Sequence, residues 1–246
     1  MDLLKTVFHV HTNHSYDCDR SVDQLIAIAR ARSVDCITIT DHDTLSGAHE
    51  MAAKAPPELK VVTGEEVSTT GGHVIGLFLK EHICAGMSPR ETALAIKQQG
   101  GLVVIPHPYN RIFGCGLCEH LHEVEDLIDV VEVSNAQNLR TSLGRRSRQF
   151  AHERQLPGIV GVDLHHSDSL DACYQWMEPF DTPEQFVANL RQATLVEGRH
   201  PLSYFVKSAW HVFLEYSGIG HSARFGARKR VPWDIHDHSN LNPTTK

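Results

Sequence analysis

Read from its N-terminus, the chain alternates short runs of β-branched and aliphatic residues with longer stretches whose apolar positions recur every three or four residues. Residues 7–10 predict a strand, 21–33 a helix and 36–40 a strand, which is βαβ order. In that helix Ser21 and Gln24 stand at capping-box spacing, and Val22, Leu25, Ile26 and Ala29 fall on one face. A second helical stretch at 44–55 is broken by Pro56 and Pro57, and the runs 60–67 and 73–79 then read as strands. Ser88 and Pro89 open a further helix that Gly100 and Gly101 close, ahead of the apolar strand 102–106.

The same alternation continues, with helices at 119–128, 139–154 and 182–192 and strands at 130–134 and 158–163. Strands this apolar, separated by helices, predict an α/β fold in which a parallel sheet closes into a barrel of about seven βα units. A last helix is expected at 201–216, with Phe205, Ala209, Val212 and Phe213 on its apolar side. Residues 1–216 are therefore read as one barrel domain, and 217–246, which lack periodicity, as a flexible basic tail.

Composition supports one sizeable core, with 246 residues and 41% hydrophobic content. The formal charge of −7 is uneven: from Ser217 onward there are five Lys/Arg against two Asp/Glu, leaving 18 against 28 in the body. A body that acidic makes long nucleic acid an unexpected partner, while bound cations would still admit a small anionic substrate. The six cysteines are scattered and no secretory segment opens the chain. No apolar run approaches the roughly 20 residues that span a bilayer, so a cytoplasmic protein with reduced thiols is expected. Cys115 and Cys118 form a C-x-x-C pair without a second pair, which is not read as a zinc site despite His120 and His122 nearby.

The compositional outlier is histidine, with 18 copies. His9 and His11 alternate across one residue, so a strand would turn both to one face, and Asp17 follows in the next loop. The second strand ends in Asp41, His42 and Asp43, the third carries Glu65 and Glu66, and His73 begins the next. His107 follows an apolar strand, Asn135 ends another, and Asp163 and His165 end a further one. Singly, each has an ordinary explanation: Asp41 to Asp43 suit a helix cap, and the other histidines suit turns. Successive strand ends that all carry ligand types point instead to one site, and mixed imidazole and carboxylate donors suit zinc, manganese or iron.

The segments FHVHTNHSYD, ITITDHD, VVTGEEVS, HVIGLF, VIPHPYN, VEVSN and GVDLHHSD resemble, in order, the successive motifs of the polymerase and histidinol phosphatase (PHP) family, from His9 to Ser167. The resemblance implies a distorted seven-stranded barrel holding two or three divalent ions at its C-terminal strand ends. It implies a first ion on His9, His11, Glu66 and Asp163, with Glu66 bridging to a second on His73 and His107. Asp17, His42 and His165 would hold a third. Glu66 is preferred to Glu65 because the family's glutamate stands two residues after a glycine, here Gly64. In the last motif Val162 and Leu164 depart from the family's usual residues, and only 40 residues separate Glu66 from His107, too few for the helical insertion of some nucleotide-cleaving relatives.

The expected activity is hydrolysis of a phosphate ester, a small phosphomonoester, a nucleotide or a short oligonucleotide end, with phosphatase favoured over nuclease. Glu66, Asp163 and His165 would serve catalysis through the ions. Asn135, Arg111 and Arg145 are candidate substrate contacts, and His14, His166 or Asp43 candidate proton donors. Two other readings remain open: an amidohydrolase-type metallohydrolase, and a PHP-like binding module without catalysis.

Overall fold

The computed structural model describes residues 2–110, 116–138, 141–166, 168–201 and 203–206. The elements run β1 (Leu4–Val10), α1 (Val22–Ala31), β2 (Cys36–Ile39), α2 (Ser46–Lys54), β3 (Lys60–Thr69), β4 (Gly72–Leu77) and α3 (Pro89–Gln98). They continue as β5 (Leu102–Ile105), α4 (Leu121–Val124), β6 (Val130–Asn135), α5 (Thr141–Glu153), β7 (Gly158–Leu164), β8 (Tyr174–Met177), α6 (Pro183–Leu190) and β9 (Thr194–Val196). Strands β1 to β7 pair in chain order and β7 returns to β1, so the sheet closes into a seven-stranded barrel. β8 pairs antiparallel with β1 outside that ring, and β9 with β8.

Local sequence explains the helices well. The capping box of α1 forms as read, with Ser21 answering Gln24; at α3 Pro89 fills the first turn as expected, and Ser88 and Glu91 add a second capping box that the sequence reading did not name. Gly100, at φ 74°, supplies the left-handed residue that ends α3. The stretch expected at 119–128 shortens to α4, and the residues just after it pair with separate cations, Asp126 with Arg90 and Glu125 with Arg154. β8 and β9 escaped the periodicity: in β8, Gln175 is buried, accepting from Val160 N and donating to Thr6 O.

One strand departs from the expected parallel barrel. β4 runs antiparallel to both β3 and β5. Only Thr70 and Gly71 separate β3 from β4, whereas a parallel return needs a dozen residues or more. The hairpin therefore brings the N-terminal end of β4 to the rim where its neighbours end, which is why a residue that opens a strand, His73, meets residues that close others.

The core has two layers. Phe8, Cys36, Val62, Ile75, Val104, Val130 and Ile159, from successive strands, pack with Phe186 and Leu190 of α6. The alternate strand positions, among them Val7, Ile37, Val74, Val103 and Val160, pack with Leu25, Met51, Ile96 and Phe150 of the helices. Pleating carries the first set toward the rim in steps of two residues, from Val130 to Glu132, from Ile159 to Asp163 and from Ile75 to His73. Apolar residues thus fill the lower barrel and polar ones its mouth. Of the helix expected at 201–216, a helical turn at 203–206 is described, and the tail lies outside the described residues.

Candidate metal centre

The mouth of the barrel is organised around Glu66, whose carboxylate is buried. His73 Nδ1 and His107 Nε2 lie 2.9 and 3.1 Å from its Oε1. His9, His11 and His42 present Nε2 to its Oε2 at 3.0, 3.4 and 3.6 Å. Asp163 Oδ1 stands 3.5 Å from Nε2 of both His9 and His11. Asp17 closes the other side, its Oδ2 2.9 Å from His165 Nε2 and 3.3 Å from His42 Nε2. A backbone bridge between His42 and Glu66 sets those two side by side.

These donors fall into overlapping groups within ion-binding reach: His11, Asp17, His42 and His165; His9, His107 and Asp163; His9, His11 and Glu66; and His42, Glu66 and His73. The resemblance grouped His107 with His73, whereas here His107 also joins His9 and Asp163. All nine side chains named from the sequence as ligands converge.

The backbone reaches this arrangement by irregular means. His9, His107 and Asp163 have φ of 68°, 28° and 49°, a region that side-chain-bearing residues seldom adopt and that costs on the order of 1–3 kcal/mol each. Register shifts interrupt β1 against both β2 and β7 at His9. His9 and His11 therefore meet at Glu66 through a bulged strand end, not through the regular pleat that their spacing suggested.

Electrostatics holds the donors in complementary charge states. Burial alone would raise the carboxyls of Glu66, Asp163 and Asp17, but the surrounding imidazoles hold all three well below the usual carboxylate range. Burial would lower His42 and His165, yet Asp17 and the other carboxylates lift them to about 10 and about 9. His11 goes the other way: burial and the neighbouring His165 push it down to about 3. Neutral and fully buried, it makes no well-aligned hydrogen bond at either ring nitrogen among the described residues, its Nε2 standing off at 3.4 Å from Glu66 and 3.5 Å from Asp163. An imidazole orphaned in this way costs free energy unless something accepts its lone pair, and a divalent cation does so. The donor set thus fits divalent metal ions.

Behind the ligands lies a layer of supporting groups that the sequence reading passed over. Glu132 accepts from His9 Nδ1 at 2.9 Å, from His107 N at 2.6 Å and from Asn135 Nδ2 at 3.0 Å. With Nδ1–H given to Glu132, His9 Nε2 faces Glu66 and Asp163 and is the nitrogen that would meet an ion there. A Cβ on Gly161 would overlap the Glu132 carboxylate, so glycine is needed there. The missed signal was a charge in the middle of an otherwise apolar strand, which no buried strand carries without a partner. Gln137 donates to Asp163 O at 2.8 Å and lies 3.1 Å from His165 Nδ1, and Tyr204 OH donates to Asp163 O at 3.1 Å.

Other candidates sit at varying remove. Asn135 spends its amide on Glu132 and Asp163. Glu65 turns away from the cluster, 2.7 Å from His82 Nδ1 and accepting from Ile83 N. Asp41 accepts from Thr12 N and Oγ1, and Asp43 from Ser68 N and Oγ, so neither caps α2, whose start has no side-chain cap. His14 meets Glu50 of α2 at 2.6 Å, and His166 lies 3.6 Å from Asp19. Arg145 is exposed on α5, and Arg111 lies outside the described residues.

A closed α/β barrel that gathers imidazoles and carboxylates at one rim defines a class, the metal-dependent barrel proteins. Within it, the chain belongs to the PHP domain family, whose sequence model matches residues 8–240. It is 38% identical over 147 residues to an uncharacterised protein of Methanocaldococcus jannaschii, covering 54% of this chain and 82% of that one. It is 29% identical over 182 residues to a 5'-3' exoribonuclease of Haemophilus influenzae, covering 65% of this chain and 64% of that one. Its fold is similar to a two-domain protein of Bacteroides vulgatus containing a predicted PHP-like metal-dependent phosphoesterase, with TM-score 0.66 and 17% identity. That match covers 80% of this chain and 65% of the other, so the chain spans less than two thirds of the two-domain protein. Among the described residues no helix is long and apolar enough to cross a membrane.

Proposed function

We propose that the protein hydrolyses a small phosphate ester at this centre, with two or three zinc, manganese or iron ions held by His9, His11, Asp17, His42, Glu66, His73, His107, Asp163 and His165. The observation that carries the reading is the position of Glu66, buried with imidazoles against both oxygens. A carboxylate so placed can be shared between neighbouring ions and so fix their spacing. Bound divalent ions would supply an acidified water as nucleophile and positive charge against the phosphoryl oxygens.

The chain's own residues then divide the work. Glu66, Asp163 and Asp17 keep the centre anionic, so that cations are retained when a phosphate enters. Glu132 holds His9 in one tautomer, and Gln137 steadies His165. In the reaction a water oxygen forms a new bond to phosphorus, the ester P–O bond breaks, and the departing alcohol takes up a proton. His14 or His166, on the loops flanking Asp17 and His165, would hand on that proton. Arg145 and Arg111 would add charge against the phosphate from the rim. The acidic body favours a small phosphomonoester over a long polyanion, hence a phosphatase over a nuclease.

Metal analysis of the purified protein, together with turnover of a phosphomonoester panel, tests this. His42→Ala and Asp163→Ala should each lower bound metal and cut kcat/KM by more than the roughly 10- to 100-fold typical of losing an outer-shell partner. Full metal occupancy and full activity in both variants would refute the assignment.

A further inference from the structure

Beyond β9 the chain turns back onto the ligand-bearing rim of the barrel. His200 N donates to Ala136 O, one residue past β6, at 3.2 Å. His200 Nε2 stands 2.7 Å from Val162 O, and its Nδ1 2.8 Å from Ser169 Oγ. A carbonyl only accepts, so Nε2 carries the proton and Nδ1 takes the Ser169 hydroxyl. Tyr204 N donates to Pro201 O, a helical turn that sets Tyr204 four residues on and over the same face, where its ring stacks on His200 at 3.9 Å and 15°. Both rings are buried, at 4% and 2% exposure. The phenol hydroxyl donates to Asp163 O at 3.1 Å, on a residue held at φ 49°, and its oxygen lies 3.4 Å from His165 Nδ1.

From these contacts, and resting on the reading of Asp163 and His165 as metal ligands, we infer that Tyr204 is a positioning residue for both, itself held in place by His200. An imidazole that gives Nε2 to a cation keeps its proton on Nδ1, and that proton needs an acceptor. His165 Nε2 faces Asp17 at 2.9 Å, which leaves Nδ1 to be satisfied from behind. Gln137 cannot serve: its Nε2, 3.1 Å from Nδ1, is a donor, and its bond to Asp163 O fixes the amide that way round. The Asp163 carbonyl is 3.1 Å from Nδ1 but already receives Gln137 and Tyr204. The phenol oxygen carries two lone pairs, so a bond from Nδ1–H coexists with another that it accepts. One hydroxyl thus steadies the strained carbonyl of Asp163 and sets the tautomer of His165. The seven strands bear the ligands, while a segment outside their ring braces the last two.

The test is Tyr204→Phe in full-length protein with zinc as the probe, since it keeps the ring and its stack on His200 and removes only the hydroxyl. Competition with a chelating dye should show one class of bound zinc weakened roughly 10- to 100-fold. Nitrogen-15 NMR of the zinc-loaded protein, with His165→Ala to assign the signal, should show a His165 Nδ1 proton protected from exchange in the parent and exposed to it in Tyr204→Phe. His200→Phe, which keeps a ring beneath Tyr204 but drops the bond to Val162, should move both readouts the same way by a smaller factor. A packing role alone would lower the melting temperature of stripped protein and leave zinc affinity and the Nδ1 proton unmoved, and that result overturns the inference. So does a zinc-loaded parent whose His165 Nδ1 carries no protected proton, a measurement that stands even where a variant does not fold. Neither readout needs turnover. A parent that binds zinc in this way and cleaves no phosphomonoester refutes hydrolysis and keeps Tyr204 in its role, whereas an active enzyme with zinc affinity unmoved in Tyr204→Phe does the reverse.

Discussion

Glu132 touches no substrate in this arrangement, yet three groups depend on its two oxygens, and two of those groups belong to His9 and His107. Replacing it by glutamine keeps the shape and removes one acceptor, so the new NH2 must face either His9 Nδ1–H or His107 N–H, donor against donor. Glu132→Gln should therefore weaken metal binding roughly 10- to 100-fold with the far-ultraviolet dichroism unchanged, as read by competition with a chelating dye. Gly161→Ala, which crowds the same carboxylate, should shift metal affinity in the same direction. Unaltered affinity in both variants would reduce Glu132 to a packing residue. The contrast between Glu132 and His107 shows what was legible residue by residue. A histidine at a strand end announces itself by chemistry and position. A buried acceptor shows locally only as a charge in an apolar strand, and its role rests on partners such as His9, 123 residues away, which no local pattern reveals.

At the scale of elements, helices written by local rules were the readable part. The capping boxes at Ser21 and Ser88 depend on residues three apart; the first formed where its spacing put it, and the second shows the same local rule at a helix start read from Ser88 and Pro89. Ser88→Ala should cost about 1 kcal/mol and lower the melting temperature by roughly 2–4 °C, with metal content unchanged, since α3 packs against β4, β5 and α4 and carries none of the proposed ligands. A larger loss, or any loss of metal, would show that α3 does more. Strand direction was harder to read. The run 73–79 was legible as a strand, but its reversal follows from a two-residue link and not from its own composition. The strained ends at His9, His107 and Asp163 were invisible for a related reason: ordinary residues are driven to positive φ by the assembled barrel, and their sequence carries no mark of it. The order of ligands along the chain survives such distortion, which is why the site could be read more fully than the backbone that makes it.

For the whole molecule, the centre is both the functional site and a concentration of opposed charges inside the barrel. Without metal, the centre would be held by ion pairs whose strength depends on pH. Asp17, Glu66 and Asp163 sit well below their ordinary values, so their contribution to stability is present above an unfolded pKa near 4 and is lost as pH falls further. His42 and His165 lie at about 10 and about 9, so their contribution is complete below an unfolded pKa of about 6.5 and is lost as pH rises through 9 to 10. Chelator-stripped protein should accordingly melt highest between about pH 5 and 6.5 and several degrees lower at pH 10. Divalent ions compete for the same imidazoles, so their uptake must expel the protons on His42 and His165. Calorimetry in buffers of different ionisation enthalpy at pH 7.5 should therefore show net proton release on metal binding, and affinity should strengthen with pH up to that same range. Loading should also raise the melting temperature most where the stripped protein is weakest, at alkaline pH, because there the ions supply the positive charge that the imidazoles have lost. A flat melting profile for stripped protein, or metal uptake without proton release, would mean that these histidines are not the groups the ions displace.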